Sequence, residues 1–258
     1  IINSDVESAK THNNDYKRFK INAKNIVAIA SGKGGVGKST FSVNLATALR
    51  SLDLKIGLLD ADIYGPSIPR MMGISKKPIM NENKKLIPLE NYGIRLMSIG
   101  FILDSEAPTI WRGPMVMKAL EQMFNGVEWG ELDYLIIDLP PGTGDAQLTL
   151  AQSSKLSGSI VISTPQDVAL TDARKGINMF KKVNVDILGI VENMSYFICD
   201  NCNQKHYIFS KDGVKKEAEK SKISFLVEIN IDTILWIESV NFISDLIVNH
   251  DCEICIYF

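Results

Sequence analysis

Short apolar runs alternate with longer stretches of helical periodicity along most of this 258-residue chain. The apolar runs are rich in Ile, Val and Leu, and they predict strands at 26–30, 55–59, 95–99, 134–137, 159–163 and 186–191. Several of these runs lack the polar alternation of a half-exposed sheet, which indicates burial on both faces. The pattern therefore predicts an α/β fold with a mostly parallel central sheet and helices on both faces.

Between the strands, the periodicity predicts crossover helices at 39–51, 114–124, 145–153, 167–182 and 211–220. Asp145 and Asp167 are placed to cap or open two of these helices. Turn residues at 65–67 and 140–142 follow the second and fourth predicted strands. These loops lie at the carboxyl ends of the strands, which is where open α/β sheets bind ligands.

Composition and length are those of one folded domain, since apolar residues make up 45% of the chain and charged residues 22%. We expect a polar N-terminal tail at 1–24, the domain at 25–245 and an atypical C-terminal tail at 246–258. A first residue other than Met indicates a fragment or a processed form.

The charge balance gives no reason to expect a nucleic-acid or membrane partner, because 28 basic residues face 30 acidic ones and the net charge is −2. No apolar segment of a signal peptide follows Lys17 and Arg18. The apolar-looking stretch at 223–248 is interrupted by acidic residues, so it does not predict a membrane span. We therefore expect a cytoplasmic protein.

A phosphate-binding loop is predicted between the first strand and the first helix, where the sequence fits G-x-x-x-x-G-K-[ST]. Its glycines allow backbone N–H groups to converge on phosphate oxygens, and the helix N-terminus adds a positive dipole end. Lys38 would neutralise phosphate charge, and Ser39 would offer a hydroxyl to Mg²⁺. The predicted nucleotide-binding residues are Gly32, Lys33, Gly34, Gly35, Val36, Gly37, Lys38, Ser39 and Thr40.

The same loop also contains G-x-G-x-x-G, so a dinucleotide site is the alternative. Such a site needs no Lys-Ser pair, whereas Mg²⁺-nucleotide chemistry needs that pair and a carboxylate at the end of another strand. Asp138 ends the apolar run at 134–137 and supplies this carboxylate. Asp60 and Asp62 end the second strand, where one of them could orient the attacking water and the other could simply hold the loop.

Four cysteines form two Cys-x-x-Cys pairs, Cys199/Cys202 and Cys252/Cys255. This spacing is typical of metal or redox sites, including half of a zinc knuckle with His206 as a third ligand. We interpret His206 as an ordinary loop or strand residue. We also interpret the second pair as incidental, because it lies too far along the chain for common zinc-ribbon spacing.

Lys33 directly after the first glycine of the loop resembles the deviant Walker A motif of the MinD, ParA and nitrogenase iron protein family. Further segments resemble the Mrp/ApbC-type iron–sulfur cluster carriers, and the resemblance runs from about residue 25 to about residue 213. These segments are 60–70, Trp111-Arg112-Gly113-Pro114-Met115, 138–145, Thr164-Pro165-Gln166 and Glu192-Asn193-Met194-Ser195.

The resemblance implies an ATPase that forms a homodimer around ATP, with Lys33 reaching the partner's nucleotide and Asp62 acting on the hydrolytic water. It implies that 138–145 senses the γ-phosphate and that Asn193 contacts the adenine. Cys199 and Cys202 occupy the position of cluster binding, so that two chains would share one [4Fe-4S] cluster.

The predicted function is therefore an ATP-hydrolysing carrier that delivers an iron–sulfur cluster to apoproteins, with ATP and Mg²⁺ as cofactors and hydrolysis that is slow and coupled to transfer. The alternative is a MinD/ParA-type positioning ATPase that acts on membrane or DNA. That function would need a basic C-terminal surface, and 249–258 contains no Lys or Arg.

Overall fold

The computed structural model describes residues 21–102 and 113–231, together with Ser244 and Val248. The strands are β1 (Ala23–Ser31), β2 (Ile56–Asp60), β3 (Leu89–Asn91), β4 (Ile94–Ser98), β5 (Leu132–Asp138), β6 (Gly158–Ser163), β7 (Ile187–Glu192), β8 (Phe197–Ile198), β9 (Lys205–His206) and β10 (Phe225–Glu228). The helices are α1 (Lys38–Ser51), α2 (Ile68–Met71), α3 (Gly113–Asn125), α4 (Asp145–Ser153), α5 (Asp167–Lys182) and α6 (Gly213–Ser221).

All the strands and helices predicted from the sequence are present, with ends that differ by a few residues. Asp145 and Asp167 are the first residues of α4 and α5, which confirms that they open these helices. The sequence pattern did not predict α2, β3, β8, β9 and β10. These elements are one or two turns or a few residues long, so they are too short to show a period.

One sheet has the strand order β10-β7-β6-β1-β5-β2-β4-β3, and β3 is its one antiparallel strand within the described residues. After β1 the chain continues to β2 on one side of the sheet, and after β5 it continues to β6 on the other side. In open α/β sheets such a reversal leaves a crevice at the carboxyl ends of the strands. The fold thus places the loop after β1 at the usual ligand-binding position.

Both faces of the sheet are covered, because every residue of β2 and of β6 is buried although alternate side chains point to opposite faces. Helix α1 buries Phe41, Leu45 and Leu49, which are spaced four residues apart and lie on one face of the helix. This continuous burial confirms the predicted mostly parallel α/β architecture.

Some sequence predictions concern residues outside the described ranges. They include residues 1–20 of the N-terminal tail, Trp111 and Arg112, most of the C-terminal tail, and Cys252 and Cys255. Within the described residues, no helix has the length and apolar character needed to cross a bilayer.

Candidate nucleotide site and cysteine hairpin

The predicted phosphate loop connects the end of β1 at Ser31 to the start of α1 at Lys38. Gly35 and Gly37 have φ angles of 79° and 88°, a region that side chains with a Cβ rarely adopt. Gly37 is the N-cap of α1, so the loop ends on the unpaired backbone N–H groups of a helix N-terminus. This geometry suits the binding of an anion.

Gly32 is required by packing as well as by phosphate binding. A Cβ atom at Gly32 would lie 2.1 Å from the backbone carbonyl carbon of Asp172 in α5. Helix α5 therefore crosses the start of the loop at a distance that only glycine allows. The sequence motif did not reveal this second reason for a glycine.

The carboxylate of Asp138, at the end of β5, lies at the centre of a buried polar cluster. Its Oδ2 atom is 2.9 Å from Lys38 Nζ and accepts a hydrogen bond of 2.6 Å from Ser39 Oγ. Its Oδ1 atom accepts a hydrogen bond of 2.8 Å from Ser42 Oγ. The structure thus brings together the predicted lysine, serine and aspartate, and it adds Ser42, which the sequence motif does not include.

Asp62 lies in the turn beyond the end of β2, with Oδ2 3.6 Å from Lys38 Nζ. The prediction that Asp62 lies at the end of the second strand is therefore wrong, because β2 ends at Asp60 and Asp62 belongs to the turn that follows. Burial raises the pKa of Asp62 above its usual value, and the charge of Lys38 opposes that shift. Asp62 is 9% exposed and faces the same lysine as Asp138.

Asp60 holds the loop that follows β2. Its Oδ1 atom accepts a hydrogen bond from the backbone N–H of Asp62, and its Oδ2 atom accepts one of 2.9 Å from Ser98 Oγ. The β2–β5 register sets Asp60 beside Asp138. Burial raises the pKa of Asp60 to about 7, and the nearby charge of Asp138 acts in the same direction.

The segment at 139–144 lies against the phosphate loop. Gly142 donates its backbone N–H to the Ser31 carbonyl at 2.9 Å, and Gly142 has a φ angle of 99°. A Cβ atom at Gly34 would lie 4.0 Å from Pro141 Cγ, which is ordinary contact. Pro141 and Gly142, which belong to the segment predicted to sense the γ-phosphate, are thus adjacent to the phosphate loop.

Asn193 is buried beside the phosphate loop, where its Nδ2 atom donates a hydrogen bond of 2.8 Å to the Val36 carbonyl. Its Oδ1 atom is buried without a hydrogen-bond partner among the described residues. Lys33, by contrast, is exposed at the tip of the loop.

Glu192 connects this region to α6. Its buried carboxylate accepts a hydrogen bond from Ser195 Oγ and another, of 2.7 Å, from the backbone N–H of Val214 in the first turn of α6. A carboxylate at a helix N-terminus interacts favourably with the helix dipole. Sequence reasoning placed Glu192 in a motif but assigned it no contact.

The cysteine pair Cys199/Cys202 lies in the turn of a separate β8–β9 hairpin. The turn is held by hydrogen bonds from Cys199 N to the Gln204 carbonyl and from Asn203 N to the Cys199 carbonyl. Cys199 is partly exposed, Cys202 is exposed, and both are free thiols. Hydrogen bonds from the backbone N–H groups of Asn201 and Cys202 lower the pKa of the Cys199 thiol.

His206 is a strand residue, as predicted, because it forms part of β9. The fold also brings it to the cysteines: the ligand atoms of Cys199, Cys202 and His206 all lie within 4.8 Å of one another. The interpretation of His206 as no more than a strand residue did not include this contact, which depends on the pairing of β8 with β9.

Comparison with known proteins gives consistent matches over most of the chain. A family model described as "ParA: NUBPL iron-transfer P-loop NTPase" matches residues 22–250. The "Iron-sulfur protein required for NADH dehydrogenase, mitochondrial" of Arabidopsis thaliana is 57% identical over 210 residues, or 81% of this chain and 67% of that protein. The "Iron-sulfur cluster carrier protein" of Escherichia coli is 53% identical over 198 residues, or 76% of this chain and 54% of that protein.

Among solved structures, an Archaeoglobus fulgidus nucleotide-binding protein in complex with ADP, with cobalt detected, has a TM-score of 0.72 and 39% identity. The match covers 85% of this chain and 86% of that chain. The Pyrococcus furiosus cell division ATPase MinD has a TM-score of 0.62 at 17% identity and covers 88% of this chain and 99% of that one, which shows a common fold alone. The chain spans about two thirds or less of the length of several curated relatives, such as the Dictyostelium discoideum and Escherichia coli proteins.

Proposed function

The chain belongs to the NUBPL iron-transfer P-loop NTPase family, and we propose that it is an ATP-hydrolysing carrier of an iron–sulfur cluster. In this proposal two copies of the chain bind ATP between them, hold one [4Fe-4S] cluster as cargo and deliver it to apoproteins. The observation that carries the proposal is the presence in one chain of two features: a phosphate loop with buried Lys38 and Asp138, and a hairpin with two free thiols, of which Cys199 is partly exposed and Cys202 exposed.

The residues beside the loop fit a magnesium nucleotide. Ser39 Oγ and Asp138 Oδ2 are hard oxygen donors 2.6 Å apart, which is the donor chemistry that Mg²⁺ prefers. When bound, Mg²⁺ supplies positive charge to the β- and γ-phosphate oxygens. Lys38, which now pairs with two carboxylates, would turn to the phosphates, and the loop glycines would direct backbone N–H groups at them.

Asp62 is the residue that we assign to the hydrolytic water. Its buried position raises its pKa, which makes the carboxylate a better proton acceptor than an exposed aspartate. Lys33 is exposed at the loop tip, where it could reach the nucleotide of a second chain. We assign Asn193 to the adenine, whose amino group its partnerless Oδ1 would accept from once nucleotide binding exposes that buried atom.

The cluster would bind at the paired hairpins of two chains. One chain offers two thiolates in its Cys-x-x-Cys turn, and a cubane cluster takes four, so a twofold axis would complete the site. Exposure of Cys202 suits a cluster that must be released to another protein.

Nucleotide and cluster could be coupled through the short segment that joins the two sites. Asn193 contacts the phosphate loop at Val36, and the chain reaches Cys199 only a few residues later. Between them, Glu192 and Ser195 fix this segment to α6. A displacement of Val36 on nucleotide binding would thus be transmitted to the base of the hairpin.

Anaerobic reconstitution of the full chain with iron and sulfide tests the proposal. We expect a brown protein with two iron atoms per chain, as one shared [4Fe-4S] cluster requires, and a dimeric mass with ATP and Mg²⁺. Cys202→Ser should abolish the colour, Lys33→Ala should weaken the dimer, and Gln204→Ala in the same turn should change neither. A wild-type protein that stays monomeric and colourless would overturn the proposal.

A positioning function on membrane or DNA is not favoured, because the MinD and plasmid partition structures share only the fold with this chain. The cytoplasmic location remains a prediction. The Arabidopsis relative is named as mitochondrial, and either compartment could keep Cys199 and Cys202 reduced.

A further inference from the structure

The pairing of β8 with β9 sets Cys199 and His206 on one face of the hairpin. Phe197 is paired with His206, and Ile198 is paired with Lys205. Since side chains alternate between the two faces of a strand, Cys199 follows Phe197 onto the face that carries His206. This register, and not the Cys-x-x-Cys spacing alone, brings an imidazole to the thiols.

The three ligand atoms lie close enough to one another to suit a small metal site. A tetrahedral ion with metal–sulfur bonds of about 2.3 Å and metal–nitrogen bonds of about 2.0 Å holds its ligand atoms roughly 3.5 to 3.8 Å apart. The ligand atoms of Cys199, Cys202 and His206 already lie within 4.8 Å of one another.

The surroundings of the site are also suitable for a cation. The positive charge of Lys205 is on the other face of the hairpin, 2.8 Å from Glu228 Oε1 and 3.9 Å from the centre of the Tyr196 ring. The turn is fixed by its own backbone hydrogen bonds, from Cys199 N to the Gln204 carbonyl and from Asn203 N to the Cys199 carbonyl. The ligands are therefore partly preorganised, and no lysine has to be displaced from them.

We propose that Cys199, Cys202 and His206 of a single chain bind one divalent transition-metal ion, Fe²⁺ or Zn²⁺, with the fourth coordination position open. Two thiolates and one imidazole are the donor set of such ions, and three protein ligands with an open position typify sites that exchange a ligand. This site is distinct from the shared cluster of the proposed function, because it needs neither a second chain nor sulfide. The two uses would exclude each other at the cysteines.

Titration of the reduced full chain with Co²⁺ under anaerobic conditions, in the absence of nucleotide, tests this site. We expect thiolate-to-cobalt and tetrahedral d–d absorption that saturates at one ion per chain, with a monomeric mass, and displacement of the cobalt by Zn²⁺. His206→Ala should weaken Co²⁺ binding by roughly 100-fold or more, because even loss of an outer-shell partner of a ligand costs about 10–100-fold. Gln204→Ala, in the same exposed turn, should bind as the wild type does.

Two further variants identify the ligands. Cys199→Ser/Cys202→Ser should abolish the cobalt spectrum, whereas Cys252→Ser/Cys255→Ser should leave it unchanged. The proposal is overturned if His206→Ala binds Co²⁺ as tightly as the wild type, if one ion binds per two chains, or if the second cysteine pair carries the signal. Failure of iron–sulfur reconstitution with intact cobalt binding would contradict only the proposed carrier function.

Discussion

The raised pKa of Asp60 predicts that the stability of the folded protein depends on pH. Burial raises this pKa from 3.8 to about 7 in the folded protein. The folded state therefore prefers the protonated carboxyl, whose stabilising effect is complete below pH 3.8 and is lost as the pH rises towards 7. Above pH 7 the accumulated loss is about 4 kcal/mol, from roughly 1.4 kcal/mol per pH unit over about three units.

Asp60→Asn removes the titration and keeps both contacts. The amide oxygen can still accept from the Asp62 N–H, and the amide nitrogen can donate to Ser98 Oγ. The free energy of unfolding of the variant relative to the wild type should therefore increase by roughly 2–3 kcal/mol between pH 5 and pH 8. Urea denaturation of both proteins at the two pH values measures this difference.

Asp53→Asn is the matched control, because Asp53 is fully exposed and also has a positive φ angle that asparagine tolerates. Its effect on the free energy of unfolding should stay within a few tenths of a kcal/mol at both pH values, since exposed ion pairs contribute little. A stability difference between Asp60→Asn and the wild type that does not change with pH would show that burial does not raise the pKa of Asp60.

Three other changes test separate contacts. Gly32→Ala should destabilise the protein by about 1–3 kcal/mol, because the added Cβ would overlap α5, whereas Gly65→Ala should be nearly neutral, because a Cβ there meets open space. Equal melting temperatures of the two variants would contradict this prediction. Lys38→Met should abolish ATP binding in calorimetry, and retained affinity for ATP would exclude a contact between Lys38 and phosphate. The same change should lower the free energy of unfolding by about 3–5 kcal/mol, because it leaves the buried carboxylate of Asp138 without its cation. Glu192→Ala should lower the free energy of unfolding by about 1–3 kcal/mol and increase amide hydrogen exchange at the start of α6, because the Val214 N–H loses its acceptor. Unchanged protection of that N–H would contradict the contact with Glu192.

Much of the fold could be predicted from the sequence because its strands are buried on both faces and its main helices are long. The phosphate loop could also be predicted, since its glycines, lysine and serine are close in the chain and its conformation is local. The short hairpin at Phe197–Ile198 and Lys205–His206 could not, because two-residue strands have no detectable period. The proximity of His206 to the thiols was missed with it.

From the sequence alone we could predict the longer strands and helices in their order, the phosphate loop and the Cys-x-x-Cys pair, all of which depend on residues near one another in the chain. The contact of Asp138 with Ser39, across a separation of 99 residues, is visible only in the folded protein, because it depends on the pairing of β1 with β5. The same holds for the raised pKa of Asp60, which follows from complete burial beside a second carboxylate. Local patterns predict which groups are available, whereas distances and burial, and therefore charge and reactivity, depend on long-range packing.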